Sequence, residues 1–164
     1  MSLFRLSIAA SLAGSLFFAG CGFQLQGSGG LPPAMESMYL DFEVDARPLR
    51  EALQETLPQA GVRLAGSAAS AASVLKVTRA ELGQRVLSAS ASARPEEFEA
   101  FYIVTFAQYL GEVEIIAPQT ITLTRDYSFD ERLVLSKAAE GEQIRDQLVN
   151  DMSTAILRRL VAAR

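Results

Sequence analysis

Histidine is absent from the 164-residue chain, and cysteine occurs once, as Cys21. Without histidine the protein lacks the commonest metal ligand and the commonest general acid or base near neutral pH. A single cysteine excludes an internal disulfide even in an oxidising compartment. Basic residues are in the minority, 15 Lys and Arg against 19 Asp and Glu. A bulk nucleic-acid binder needs a strongly basic face, so the balance argues against that role. Beyond the amino terminus no apolar run approaches the ~20 residues that a membrane-spanning helix requires.

What is present begins with Arg5, which with the free amino group makes a short positive segment ahead of the uncharged run 6–18. That run is too short to span a bilayer and has the pattern of a secretion signal. It ends in Phe18-Ala19-Gly20-Cys21, which resembles the lipobox of bacterial lipoproteins. There, small residues in the two positions before the cysteine fit a peptidase pocket, and the thiol accepts a diacylglyceryl group before cleavage. Phe18 departs from the usual Leu. The resemblance implies removal of residues 1–20, covalent N-acyl and S-diacylglycerol lipid on Cys21, and no other cofactor. One acyl chain binds membranes marginally whereas two or more anchor stably. Gly22, in place of the Asp that marks inner-membrane retention, implies the periplasmic side of the outer membrane. The remaining 144 residues carry a formal charge of −5 and are about the size of one domain.

Along that remainder, residues 21–35 hold the cysteine and a tether, Gly27-Ser28-Gly29-Gly30 followed by Leu31-Pro32-Pro33, flexible and then stiff. Residues 36–164 read as a single α+β domain. Met38, Leu40 and Phe42 alternate with polar neighbours as a half-buried strand. Pro48 suits a first helical turn, Leu49, Ala52, Leu53, Leu57 and Ala60 share a helix face, and Gly61 is a natural stop. Residues 65–73 read as a small-residue loop. A strand then begins at Val74, with Leu75 and Val77 on one side and Thr78 and Leu82 on the other, and continues towards Leu87. Residues 88–95 read as a second small-residue connection and Glu96, Glu97 and Glu99 as a solvated acidic loop. The run 98–116 is rich in aromatic and β-branched residues and reads as a central strand. After Pro118, Ile121, Leu123, Tyr127 and Phe129 alternate with polar residues. Ile144, Leu148, Met152, Ala155, Ile156 and Leu160 mark a final amphipathic helix, with Arg158 and Arg159 in its last turns. The order is β-α-β-β-β-α, with two helices on one face of a four-stranded, largely antiparallel sheet.

Catalytic patterns are weak. Ser73-Val74-Leu75-Lys76 matches S-x-x-K, but that chemistry needs Ser and Lys together on a helix, and on a strand positions i and i+3 face opposite ways. Asp126 and Asp130 share a strand face about 13 Å apart, beyond the ~5–9.5 Å of glycosidase pairs. No group has metal-ligand spacing. The residues describe a binding domain without covalent chemistry.

The stretch Cys21-Gly22-Phe23-Gln24-Leu25-Gln26-Gly27 resembles the opening of mature proteins of the LptE family, the lipopolysaccharide-assembly lipoproteins. The following Leu31-Pro32, the first strand and helix, the long middle strands and the final helix ending Leu157-Arg158-Arg159-Leu160 come in the same order as in that family. The resemblance implies two helices on a four-stranded sheet. It also implies a one-to-one complex with the outer-membrane β-barrel LptD, whose lumen the protein plugs and whose assembly it assists, and delivery of lipopolysaccharide to the outer leaflet. It places lipopolysaccharide contacts at Lys137, in a stretch just before the last helix, and at Arg94, in the turn before the central strand. Arg125, a charge in an otherwise apolar strand face, is a third basic candidate or an edge-strand charge that blocks aggregation. Two rival readings are a lipoprotein that carries a small ligand without a barrel partner, and a periplasmic enzyme.

Overall fold

The computed structural model describes residues 32–91, 94–128 and 134–163, with side chains from residue 139 onward in the last segment. Cys21, the Gly27–Gly30 tether, Phe129 and Asp130 lie outside the described residues. The sheet starts with β1 (Ser37–Phe42), whose Met38 is fully buried. Helix α1 (Arg47–Gln59) carries Pro48 in its first turn, where the missing N–H costs nothing, and buries Leu49, Ala52, Leu53 and Leu57. Gly61 takes φ 91°, the left-handed conformation that ends the helix without a Cβ penalty. The chain returns through a two-residue strand β2 (Arg63–Leu64), then builds a meander of β3 (Ser73–Ala89), β4 (Pro95–Leu110) and β5 (Val113–Ser128) before helix α2 (Val134–Ala162).

Among the described residues the sheet has five strands in the order β2-β1-β3-β4-β5. The two ladders of β1 are parallel and the long β3–β4 and β4–β5 ladders are antiparallel. The α+β class is as expected, whereas the strand count and the parallel β1 ladders differ from the expectation. Two residues are too few to show a period, and a strand reached through a crossover helix returns parallel. Both helices pack into one core with a single sheet face: Leu53 and Leu57 of α1 and Leu148, Met152 and Ile156 of α2 meet Leu75, Val77, Tyr102, Val104 and Phe106. Thr56 and Ser153 join the helices through a 3.0 Å hydroxyl pair.

Register corrects several readings. A bulge between Val77 and Arg79 leaves Thr78 as the extra residue, so Leu82 pairs with buried Tyr102 and lies on the same face as Leu75 and Val77. A turn at Gly111, with φ 60°, splits the 98–116 run into the end of β4 and the start of β5. Pro118 sits inside β5, at a register irregularity on an edge strand where no ladder N–H is required of it. Glu96, Glu97 and Glu99 belong to β4 and not to a loop, and Ser88, Ala89 and Pro95 are strand residues, which confines that connection to 90–94. Within the small-residue stretch, Ala68–Ser70 form a 3₁₀ turn and Ser73 already belongs to β3.

Candidate functional site

The helices cover one sheet face and leave the other bare among the described residues. Pairing places Arg79, Glu81, Gly83 and Arg85 of β3 on the bare face, opposite Thr105, Ile103, Phe101 and Glu99 of β4, which in turn face Thr120, Thr122, Thr124 and Asp126 of β5. Two ion pairs lie on it: Arg79 meets Glu81 at 2.6 Å and Arg85 meets Glu99 at 2.5 Å. On the same side, Lys76 meets Glu43 at 2.6 Å, and that carboxylate pushes the ammonium pKa up. Thr105 and Thr120 share a 2.8 Å hydroxyl contact across the strands. The tip of the Phe101 ring sits against Gly83, so close that a Cβ there would fall 2.6 Å from ring Cζ, and the Arg85 guanidinium is 5.9 Å from the ring centroid. The result is a surface of mixed polarity.

The sheet also has two distinct ends. At the near end stand the incoming chain at Pro32, the start of β3 and the β4–β5 turn. At the far end stand the β3–β4 turn, the end of β5 and the start of α2. Arg94 belongs to the far end, in a turn pinned by the backbone bond from Ser90 N to Arg94 O at 2.8 Å and by Ser90 Oγ accepting from Arg94 N at 3.2 Å. Lys137 belongs to the first turn of α2, which starts at Val134. It therefore lies inside the helix and not in a stretch before it, and its side chain is outside the described residues. The topology thus brings Arg94 and Lys137 to one end, although they are far apart in sequence. Arg125 faces α2 and forms a 2.6 Å ion pair with Asp151, both side chains about half exposed. It links strand to helix. Sequence patterning does not single out Arg145, which donates to Gln84 Oε1 at 3.1 Å, where Tyr127 Oη also donates at 2.8 Å. An Arg beside Ile144 in the helical stripe is the one signal that points to it.

Ser73 and Lys76 do lie on opposite faces. The Ser73 hydroxyl is buried, donating to the Ala34 carbonyl and accepting from Gln108 Nε2 at 3.0 Å. Lys76 is held on the bare face by Glu43. Ser73 anchors the incoming chain and Lys76 ties β3 to the end of β1, so the two position no nucleophile beside a base. Among the described residues no group of three or more Asp, Glu, His or Cys is placed to hold a metal. Two shallow grooves of about 320 and 330 Å³ lie beside α1, one lined by Leu40, Arg50, Gln54 and Leu64, the other by Glu51, Glu55, Asp146 and Asn150.

A family model described as LptE, lipopolysaccharide-assembly, matches residues 35–160, from the turn before β1 to the last turns of α2. The chain belongs to the LptE family. That is a family of lipopolysaccharide-assembly lipoproteins and not of enzymes. The LPS-assembly lipoprotein LptE of Pectobacterium atrosepticum is 25% identical over 147 residues, spanning 89% of this chain and 79% of that one. The solution structure of lipoprotein B from Nitrosomonas europaea superposes with a TM-score of 0.74 at 28% identity, covering 86% of this chain and 91% of the other. The crystal structure of rare lipoprotein B from Shewanella oneidensis gives 0.65 at 26% identity, covering 76% and 92%. The α1–β2 unit and the β3–β4–β5 meander therefore form an LptE-type domain.

Proposed function

We propose that this protein is an outer-membrane lipoprotein, anchored by lipid on Cys21 with residues 1–20 removed, that plugs the lumen of the LptD β-barrel, assists its assembly and takes part in delivering lipopolysaccharide to the outer leaflet. Membership of the LptE family over residues 35–160 carries this reading. The bare sheet face supports it: threonines and internally paired charges suit the mostly polar wall of a barrel lumen. Lipopolysaccharide phosphates bind at the far end through Arg94 and Lys137. Arg125 is a third contact, because a guanidinium has five N–H donors and the pair with Asp151 occupies few of them. These are charge-assisted hydrogen bonds that compete with the divalent-ion bridges between lipid molecules, and no covalent step is involved.

Pull-down from detergent-solubilised outer membranes tests the partner. The expected result is a stable one-to-one complex with a large β-barrel, and elution of the protein alone would favour a carrier of small ligands. Lys137→Asp tests the ligand: it should weaken lipopolysaccharide binding by the purified protein, and unchanged binding removes Lys137 from the site.

A further inference from the structure

Among the described residues, the near end of the domain exposes a group of apolar side chains. Leu110 and Val113 flank the β4–β5 turn, Ile115 follows them, and Val161 ends α2; they are 36% to 64% exposed, Val113 most. Arg158 and Arg159 lie in the turn of α2 before Val161. We infer that this end rests on the phospholipid surface whenever the protein stands on the membrane without its barrel.

Chain length selects the bilayer as the occupant. Pro32 enters the domain at this same end, fixed where Ala34 O receives Ser73 Oγ and Gln108 Nε2. Cys21 is eleven residues upstream, a reach of at most about 36–40 Å. A lipid on Cys21 therefore keeps the near end close to the bilayer at all times, a high effective concentration for even a weak contact. The far end also exposes Val86 and Leu87, but it lies a further ~50 Å along the 16-residue strand β4. It reaches the surface only if the domain lies down. Apolar side chains flanked by Arg match the headgroup boundary, where such a tip enters roughly 5–10 Å. Glu112 in the same turn and Glu114 at the start of β5 would be repelled by anionic lipid, which points to zwitterionic phospholipid. The contact holds the far end, with Arg94 and the start of α2, away from the membrane.

The inference rests on the anchor proposed for Cys21, and the test separates the two. The chain has no tryptophan, so Val113→Trp supplies a unique reporter, Leu110→Trp a second should the first fold poorly, and Val86→Trp a far-end control. Each acylated mature protein is placed in vesicles of phosphatidylcholine and phosphatidylethanolamine, with mass spectrometry of the Cys21 peptide. The expected result is a blue-shifted emission at position 113 or 110, quenched by phospholipids brominated near the headgroup, with no change at position 86. An acylated protein whose near-end emission is the same with and without vesicles overturns the inference and leaves the anchor standing. An unacylated Cys21 overturns both. A blue shift that grows with protein concentration in the absence of vesicles assigns the near end to a second copy of the chain and overturns it as well.

Discussion

The contact between Gly83 and Phe101 yields a prediction whose sign reverses with background. A Cβ at position 83 would lie 2.6 Å from Cζ of Phe101 and 3.1–3.2 Å from both Cε atoms. The ring must then slide off the strand, and overpacking of this kind costs about 1–3 kcal/mol. Against that, Gly inside a strand is about 0.5–1 kcal/mol worse than Ala because it loses more backbone freedom on folding. Gly83→Ala should therefore destabilise by roughly 1 kcal/mol net, a fall in Tm of about 3–5 °C for a domain of this size. In a Phe101→Ala background the obstacle is gone, and the same change should stabilise by about 0.5–1 kcal/mol. Urea denaturation followed by circular dichroism, on the mature chain with Cys21→Ser to keep it unacylated, gives all four corners of the cycle. Equal destabilisation in both backgrounds would show that the ring is not the obstacle and that Gly83 is required for another reason.

The buried lock at the incoming chain is the next test: Gln108→Ala removes the bonds to Ser73 Oγ and Ala34 O and should cost about 1–3 kcal/mol in the same denaturation assay, whereas Gln143→Ala on the exposed side of α2 should cost little. Tyr102 is 2% exposed and burial pushes its phenol pKa up to about 12. Because the folded value lies above the unfolded one near 10, this stability is fully present below pH 10 and is lost as pH rises from 10 towards 12. Tyr102→Phe should flatten that alkaline decline in a pH series of Tm. The Arg125–Asp151 pair is about half exposed, so a double-mutant cycle to Ala should return a coupling of ~0.2–1 kcal/mol that shrinks in high salt; a coupling of several kcal/mol would mean that the pair is desolvated in a way its exposure does not allow.

Features set by local periodicity are legible in the amino-acid sequence. The α1 stripe of Leu49, Ala52, Leu53 and Leu57, its stop at Gly61, the inward Met38 and the Leu148–Met152–Ile156 face of α2 all occur where helical or strand spacing places them. So does the separation of Ser73 from Lys76, since alternation alone sends i and i+3 of a strand to opposite faces. The start of α2 at Val134 is not legible because Gly141, a weak helix former, separates its first two turns from the stripe that begins at Ile144, and β2 is not because two residues have no period.

The remainder depends on pairing between distant segments, which no local pattern encodes. Whether Leu82 faces the core depends on one extra residue, Thr78, opposite β4, and a one-residue slip reverses every later side chain. Glu99 reads as part of a solvated loop from its acidic neighbours alone, yet β3 places Arg85 across from it. Arg125 is visible as a charge in an apolar face, but its partner Asp151 is 26 residues away on another element. The same holds for function. Residue type and order mark a lipid-anchored binding domain with basic candidates at Arg94 and Lys137. Only the direction of each strand in the sheet decides that those two share the far end while the tethered chain enters at the other, because the end at which a residue emerges is fixed by hydrogen-bonded register across the whole sheet and not by its neighbours in sequence.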